Sequence, residues 1–280
     1  MPRFLVVDGY SRQGRKELSD GGASEAGPLY ARMLRRLCPK AECDIVCPAD
    51  PDASLPAGAT LAGYDGICWT GSSLTIYHDT PEVTDQIAFA RAAFEAGVPS
   101  FGSCWAAQIA AVAAGGAAAA NHHGRETSIS RKIALTPEGR AHPMFAGKAS
   151  VFDAFTSHFD EVTHLPPDAQ ILAGNAFTRV QALTVNHANG SFWAVQYHPE
   201  YDLHELARLT YCRLAILVKL GFFADRETGQ AYIDRLEALH QDPSRRDLAW
   251  QLGLDQDVLS PEIREREVAN WIREQVLGRD

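Results

Sequence analysis

Short apolar runs alternate with amphipathic segments through the first half of the chain, and this alternation limits the fold more than any other feature. Strand-like runs occur at residues 3–7, 43–47, 65–71 and 98–101. Helices are predicted between them, at about residues 29–37 and 83–95. Strands that are joined by helices pair in parallel, because each helix carries the chain back across the sheet before the next strand begins. The pattern predicts an α/β fold with an open, mostly parallel sheet and helices on both faces.

The second half of the chain divides into a strand-rich region and a helical end. Strands are predicted within residues 128–196, and a helix with regularly spaced leucines follows at residues 202–221. The remaining residues are charged and have a helical pattern. We therefore predict one α/β domain over residues 1–224 and a helical C-terminal extension over residues 225–280.

Two segments depart from a minimal α/β domain. Residues 11–28 are polar and glycine-rich, and they predict a long loop at the edge of the sheet where ligands bind. This loop is either a lid or partner contact, or a disordered surface segment. In the extension, four apolar residues recur at helical spacing and share one face: Val268, Trp271, Ile272 and Val276. This face predicts docking on the chain's own core, and a dimer or partner surface is the alternative.

Charge and the pattern of apolar residues exclude several classes of protein. The net charge is −9, and no block of lysines and arginines is present. Nucleic acid and anionic membrane surfaces are therefore not expected partners. The first residues enter a strand-like run without the features of a signal peptide, and the later apolar stretches are too short or too broken to span a bilayer. We expect a soluble, cytoplasmic protein.

The six cysteines contain no C-x-x-C pair, so they predict no disulfide framework. Cys38, Cys43 and Cys47 lie close together in the sequence, but their spacing matches no zinc pattern and no histidine flanks them. No metal site is predicted.

The stretch FGSCWAAQ, residues 101–108, places a cysteine where a predicted strand turns into a predicted helix. At the N-terminal end of a helix, unpaired backbone N–H groups and the helix dipole favour a thiolate. Cys104 is therefore a candidate nucleophile, and a structural buried cysteine is the alternative.

Thiol catalysis also needs a base and a group that orients the base. In VQYHPE, residues 195–200, His198 and Glu200 are two residues apart on an extended segment and so face the same side. This predicts a Cys104–His198–Glu200 triad. An α/β-hydrolase is disfavoured, because its order is nucleophile, acid, histidine and its motif has glycine where this chain has Ala106.

Together, GSCWAAQ and VQYHPE resemble the G-x-C-x-G-x-Q and G-x-Q-x-H-P-E motifs of class I (triad) glutamine amidotransferases. The glutaminase domain of GMP synthase is the nearest relative by this resemblance. The resemblance extends over about residues 3–222, and three further segments contribute to it: 64–77, 115–127 and 155–162. The residues after 224 have no counterpart in that domain.

The resemblance implies a flavodoxin-like sheet and a reaction. Cys104 attacks the γ-carboxamide of glutamine to form a γ-glutamyl thioester, and His198, oriented by Glu200, transfers the protons. The backbone N–H groups of Gly71 and Trp105 are expected to stabilise the oxyanion. Four side chains are implied in binding the glutamyl part: Gln108, Ser157, His158 and Asp160. His158 also has the alternative of a surface histidine without a role. No metal or organic cofactor is needed for these steps.

The chain departs from the family motifs around the predicted pocket. Ala106 and Ala107 follow the nucleophile, Phe159 replaces a glycine of the binding segment, and Ser72-Ser73 replace Gly-Pro in the oxyanion loop. None of these changes removes a member of the triad, but several reshape the pocket around it.

Three functions remain open. The first is a glutaminase that releases ammonia for a separate synthetase, and a synthetase subunit would then be its partner. The second is a stand-alone hydrolase of another γ-glutamyl amide. The third is a non-catalytic binding or regulatory module on the same fold, which the intact triad disfavours. A homo-oligomer is also compatible with the sequence.

Overall fold

The computed structural model describes residues 1–278. The strands are β1 (Arg3–Val7), β2 (Glu42–Val46), β3 (Gly66–Trp69), β4 (Ser100–Ser103), β5 (Ala117–Ala120), β6 (Glu126–Leu135), β7 (Val151–His158), β8 (Asp160–His164), β9 (Ala169–Gly174), β10 (Ala182–His187) and β11 (Gly190–Val195). The helices before the C-terminal extension are α1 (Arg12–Asp20), α2 (Ala26–Leu37), α3 (Pro81–Ala96), α4 (Trp105–Ala113), α5 (Pro137–Ala141), α6 (Leu203–Cys212) and α7 (Leu214–Lys219).

A nine-stranded sheet forms the centre of the molecule, in the order β2-β1-β3-β4-β11-β10-β9-β6-β7. The first five strands in this order pair in parallel. From β11 onward, each strand pairs antiparallel with its neighbour. Strands β5 and β8 form a separate antiparallel pair. The predicted open α/β sheet is therefore confirmed, and the strand-rich second region extends it as an antiparallel half.

Both faces of the parallel half are covered. Leu5 and Val7 of β1 lie in a core with α3 and α4, whereas Phe4 and Val6 lie in the core on the opposite face. Successive side chains of a strand point to opposite faces, so a strand covered on both sides needs an uninterrupted apolar run. This explains the sequence of β1.

The register of β4 and β11 brings the two motif segments together. These strands are parallel neighbours, and Ser103 is paired with Val195 at their carboxyl ends. The N–H of Cys104 continues the ladder and donates to the Val195 carbonyl at 2.8 Å. The chain after β4 and the chain after β11 therefore leave the sheet side by side, at the edge where open α/β sheets bind ligands.

The prediction of a loop at residues 11–28 is wrong. This segment forms α1 and the beginning of α2, and the Ser11 hydroxyl caps α1 by accepting from the Gly14 N–H. The Asp8 carboxylate anchors the segment to the sheet, since it accepts from the N–H groups of Tyr10 and Gly27 at 3.0 and 2.8 Å. Local capping and a buried acceptor give order to a sequence whose composition favours a loop.

The C-terminal helices are α8 (Arg226–Gln241), α9 (Arg246–Leu252), α10 (Gln256–Leu259), α11 (Pro261–Arg264) and α12 (Arg266–Trp271), followed by a π-helical turn at Ile272–Leu277. The predicted apolar face docks on the sheet. Val268 and Trp271 are fully buried, and the Trp271 ring lies 5.9 Å from the rings of both Phe4 and Phe101. Docking on the chain's own core is thus confirmed for this face.

Within residues 1–278, every helix is too short or too polar to cross a bilayer. In the same residues, no three histidine, cysteine, aspartate or glutamate side chains are grouped so that they could hold a metal ion.

Candidate active site

Cys104 occupies a strained bend between β4 and α4. Its φ of 56° and ψ of −101° lie in a region that L residues rarely adopt, and such strain is characteristic of functional bends. The bend is tight: a Cβ at Gly102 would lie 2.5 Å from the Trp69 carbonyl oxygen and would also overlap the Ala106 methyl. Glycine at residue 102 is what leaves room for Ala106, so this departure from the family motif is compatible with the bend.

His198 and Glu200 lie beside each other at the end of β11, as the sequence predicts. The His198 Nδ1 atom is 2.6 Å from Glu200 Oε1. The His198 N–H donates to the Phe155 carbonyl at 2.8 Å, and the imidazole stacks on the Tyr201 ring at 4.0 Å with an interplanar angle of 5°. The His198 backbone and ring are therefore both fixed in position, and Nδ1 is hydrogen-bonded to the Glu200 carboxylate.

The second ring nitrogen of His198 is available to the thiol. Nε2 is buried and has no hydrogen-bond partner among the described residues, and Cys104 lies near enough to help raise the pKa of the ring. A Cβ at Gly71 would lie 3.0 Å from His198 Cε1 and 3.8 Å from Cys104 Cβ. Cys104, His198 and Gly71 thus surround one small space, and a side chain at residue 71 would intrude on it.

Glu200 is fixed by a chain of hydroxyl groups. Its Oε1 accepts from the Ser103 hydroxyl at 3.0 Å, and the Ser103 oxygen in turn accepts from the Tyr30 hydroxyl at 2.6 Å. All three side chains are buried. A carboxylate that is held in this way can orient the imidazole and stabilise its protonated form.

The charges around His198 decide its protonation. Burial by itself lowers the pKa of this histidine, but Glu200 and Cys104 outweigh burial and raise the pKa to about 9. The imidazole therefore carries a proton at neutral pH, next to a thiol at the N-terminal end of a helix. This arrangement favours a thiolate–imidazolium pair.

A cavity of about 250 Å³ opens next to Cys104. The four side chains expected to bind the glutamyl part all line it: Gln108, Ser157, His158 and Asp160. Residues 72–75 of the predicted oxyanion loop line it as well. The Gln108 amide donates to the Asp160 carbonyl at 3.4 Å, whereas its Oε1 is buried without a partner in the described residues. Gln108 therefore has an unused acceptor at the cavity.

His158 is buried, so the alternative of a surface histidine is wrong. Its Nε2 is 2.9 Å from Glu126 Oε2, and its Nδ1 is 3.0 Å from the Asp160 carbonyl oxygen. Both partners are acceptors, so the ring satisfies both only when each nitrogen carries a hydrogen. Although burial raises the pKa of Glu126, hydrogen bonds from His158, Asn175 and Ser130 hold this pKa below its ordinary value. This pair stabilises the segment that lines the cavity.

Arg213, which the motifs do not single out, also reaches the cavity. The predicted helix at residues 202–221 is broken at this residue into α6 and α7. The guanidinium group donates to the Ser157 hydroxyl. One signal was present in the sequence: Arg213 occupies a helical position in line with Leu206, Leu209 and Leu217, where an apolar residue is expected.

Arg125 is a second cation at the cavity. Burial, together with the neighbouring charge of Arg213, lowers the pKa of its guanidinium. Its Nε is buried and has no partner among the described side chains. Asp160 also lines the cavity; its carboxylate accepts from the Tyr77 hydroxyl at 3.0 Å, and burial raises its pKa. Two cations and one carboxylate complement the two charges of an α-amino acid.

The model of the family described as "Glutamine amidotransferase class-I" matches residues 31–210 of this chain. The chain belongs to this family. The resemblance of its motifs to the family is therefore confirmed. The enzyme is an amide hydrolase of the class I glutamine amidotransferase type.

Relatives of two kinds are similar to this chain. A γ-glutamyl-L-1-hydroxyisopropylamide hydrolase from Pseudomonas sp. is 34% identical over 283 residues, which cover 98% of this chain and 93% of that protein. The glutamine-hydrolysing GMP synthase of Thermomicrobium roseum is 29% identical over 178 residues, which cover 62% of this chain and 30% of the synthase. The chain thus spans about a third of the length of such synthases.

Solved structures share the fold. A glutamine amidotransferase from Thermotoga maritima superimposes with a TM-score of 0.63 at 15% identity, covering 88% of this chain and 98% of that one. A glutamine amidotransferase from Methylobacillus flagellatus gives a TM-score of 0.62 at 17% identity, covering 96% and 94%. At these identities the likeness concerns the fold alone.

Proposed function

We propose that this enzyme is a stand-alone hydrolase of a γ-glutamyl amide and releases glutamate and an amine. The observation that carries the proposal is the extent of the similarity to the Pseudomonas hydrolase, which covers 98% of this chain and so includes the C-terminal extension. The similarity to GMP synthase covers 62% of the chain. A hydrolase of comparable length that shares the extension is a better guide to the whole chain than one part of a synthase.

In the proposed reaction, the Cys104 thiolate attacks the γ-carbonyl carbon of the substrate. The C–N bond of the resulting tetrahedral intermediate breaks as His198 gives its proton to the leaving amine, and a γ-glutamyl thioester remains. His198, now neutral, takes a proton from water, whose oxygen attacks the thioester. Collapse of the second intermediate releases glutamate and the Cys104 sulfur, and the proton stays on His198.

The oxyanion of both intermediates is expected to accept from the backbone N–H groups of Gly71 and Trp105. Their positions support this role, because Trp105 begins α4 directly after Cys104 and Gly71 adjoins both Cys104 and His198. Donors that are fixed in place before the reaction are worth more than donors that must reorient.

The charges at the cavity support recognition of the glutamyl part. Arg213 and Arg125 are suited to the α-carboxylate, and Asp160 is suited to the α-ammonium group. The free Oε1 of Gln108 supplies one further acceptor. Ser157 and His158 shape this end of the cavity through their bonds to Arg213 and Glu126.

Part of the cavity lining supports a small amine as the leaving group. Ser72, Ser73, Leu74 and Thr75 line the cavity and mix hydroxyl groups with one apolar side chain. The cavity volume of about 250 Å³ leaves little space beyond the glutamyl part. A short alkyl amine that carries a hydroxyl group fits this lining.

The second candidate is a glutaminase that delivers ammonia to a separate synthetase. The similarity to the glutamine-hydrolysing part of GMP synthase favours it. It uses the same thioester chemistry and differs in its leaving group, which is ammonia, and in its need for a synthetase partner.

The deciding experiment measures glutamate release by the purified chain from glutamine and from a panel of γ-glutamyl amides that includes γ-glutamyl-1-hydroxyisopropylamide. We expect kcat/KM for a substituted amide to exceed that for glutamine by about 100-fold or more, since a pocket that fits the amine adds binding energy in the transition state. Cys104→Ala is the control and should be inactive with every substrate. A preference for glutamine would favour the second candidate, and unchanged activity of Cys104→Ala would contradict both.

A further inference from the structure

The C-terminal extension contacts the triad segment itself as well as the sheet. Residues 197–200 include His198 and Glu200. Side chains from α11 and α12 bond to the residues on either side of His198. The family model ends at residue 210, so these contacts come from outside the matched region.

The first contact joins Tyr197 to α12. The Tyr197 hydroxyl donates to Glu267 Oε1 at 2.5 Å, and both side chains are buried. Lys148 balances the carboxylate, since its Nζ lies 3.0 Å from Glu267 Oε1 and also donates to the Ile263 carbonyl at 2.8 Å. Because the buried Glu267 carboxylate is both paired with a cation and hydrogen-bonded, it holds the Tyr197 hydroxyl in a fixed position.

The second contact joins Pro199 to α11. Arg264 Nε donates to the Pro199 carbonyl at 3.3 Å, and its Nη1 donates to the Val258 carbonyl at 2.6 Å. The guanidinium also lies 5.8 Å from the centre of the Phe155 ring. Phe155 is the residue whose carbonyl accepts from the His198 N–H. Arg264 therefore bonds to the residue that follows His198 and lies over the ring of the residue whose carbonyl accepts from the His198 N–H.

Arg264 also acts on Glu200 through charge. Its guanidinium is buried and is attracted by Glu265, Asp202 and Glu200.

We propose that Arg264 and Glu267 of the C-terminal extension are positioning residues, which hold the Tyr197–Glu200 segment so that His198 and Glu200 keep their catalytic geometry. The proposal rests on the proposed roles of those two residues. It gives the extension a function in the reaction: the triad segment is anchored on one side by the sheet and on the other by residues 264 and 267.

The test uses Arg264→Gln and Arg264→Lys in the full chain. For the amide of the panel that has the highest kcat/KM, kcat and KM are measured from about pH 6 to pH 10. We expect Arg264→Gln to lower kcat by about 10-fold with little change in KM, because substrate-binding groups are not touched. The alkaline limb of the profile should move to lower pH, since a displaced Glu200 supports the protonated imidazole less well. Arg264→Lys retains the charge and should recover most of the rate.

The titratable and charged groups near His198 and Glu200 come from several elements. Cys104, Tyr201 and Tyr30 act on this pair, and Arg264 interacts with Glu200 as well as with Asp202, Glu265 and Arg36. Among the cations named here, Arg264 is the one that belongs to the C-terminal extension, so Arg264→Gln tests the contribution of the extension.

Tyr197→Phe and Asn270→Ala make the test independent of one variant's folding. Tyr197→Phe removes the hydroxyl bonded to Glu267 and should shift kcat and the limb in the same direction, by less. Asn270 holds α12 through bonds to the Met144 and Ala146 carbonyls at 2.8 and 2.9 Å, away from the triad segment. Asn270→Ala should lower Tm but leave kcat and the limb unchanged. If Arg264→Gln lowers only Tm, or if Asn270→Ala moves the limb equally, the proposal is wrong.

A second readout separates this proposal from the proposed substrate. The rate of Cys104 alkylation by iodoacetamide, followed on the Cys104 peptide by mass spectrometry, needs no substrate. We expect it to fall about 3- to 10-fold near neutral pH in Arg264→Gln, since a weaker imidazolium stabilises less thiolate. This result would support positioning even if the amide panel gave no turnover. Unchanged alkylation together with an unchanged pH profile would overturn it.

Discussion

Two buried histidine–glutamate pairs lie near the Cys104 cavity. They differ in whether the second ring nitrogen of the histidine has a hydrogen-bond partner. In the His198–Glu200 pair, Nδ1 faces the carboxylate and Nε2 has no oxygen or nitrogen partner in the described residues. In the His158–Glu126 pair, Nε2 faces the carboxylate and Nδ1 is bonded to the Asp160 carbonyl. The separations of 2.6 and 2.9 Å are similar.

The difference shows what makes such a pair reactive. A ring with both nitrogens bonded to acceptors has no proton to exchange without breaking a buried hydrogen bond. A ring with one nitrogen left over, next to a strained thiol, can accept and return a proton within its existing geometry. The pair at His158 therefore stabilises the cavity wall, whereas the pair at His198 is suited to proton transfer. Substitutions at four residues test this contrast.

The largest effect is expected from His198→Gln. Removing the group that carries the proton should lower kcat by about six orders of magnitude, as loss of the histidine does in a serine triad. The matched control is His158→Gln, whose kcat should stay within about 10-fold of wild type because the proton-transfer group is intact. Steady-state kinetics of both variants measures the two losses of kcat. Equal losses of kcat would mean that the two pairs do not differ in function.

Glu200→Gln should have the next largest effect and should depend on pH. Burial lowers the pKa of His198, and the Glu200 charge is the main influence that raises it to about 9. The wild-type rate should therefore decline as the pH rises through about 9, where the imidazole loses its proton. Without the carboxylate charge the pKa falls, so the alkaline limb should begin at lower pH and kcat at neutral pH should fall about 100-fold. A limb that stays in place would contradict this assignment.

Disrupting the second pair should change binding and stability. His158→Gln removes the ring nitrogen that bonds to the buried Glu126 carboxylate, which should cost about 1–3 kcal/mol in the free energy of unfolding. KM should rise about 10-fold, since residues 157–160 form the cavity wall. Urea unfolding and steady-state kinetics measure the two effects. A loss confined to kcat would place His158 in the chemical step.

The smallest effect is expected at the ring that stacks on His198. Tyr201→Leu removes a parallel stack at 4.0 Å, worth about 0.5–1.5 kcal/mol, and should lower kcat by about 2- to 10-fold. Tyr201→Phe keeps the stack and should retain nearly the full rate. A larger loss in Tyr201→Phe than in Tyr201→Leu would show that the hydroxyl group, and not the stack, is what matters.

Much of the parallel half could be predicted because its signals are local. A strand that is covered on both faces needs an uninterrupted apolar run, so such a run predicts a buried strand whatever the rest of the fold is. The triad candidates lie at the ends of two of these strands. The helix α1 could not be predicted, since its order depends on the Asp8 carboxylate and on the Ser11 cap. Arg213 was missed because its position at the cavity depends on the break between α6 and α7.

By itself the sequence determined the α/β class, the family and the identity of the candidate nucleophile, base and orienting acid, because short-range periodicity and contiguous motifs encode these features. Tertiary structure alone decided which histidine has a free nitrogen, which cations reach the cavity and that α11 and α12 bond to the triad segment. These features depend on side chains that are far apart in the chain, such as Tyr197 and Glu267, and their contacts exist only once the sheet and the C-terminal helices have packed.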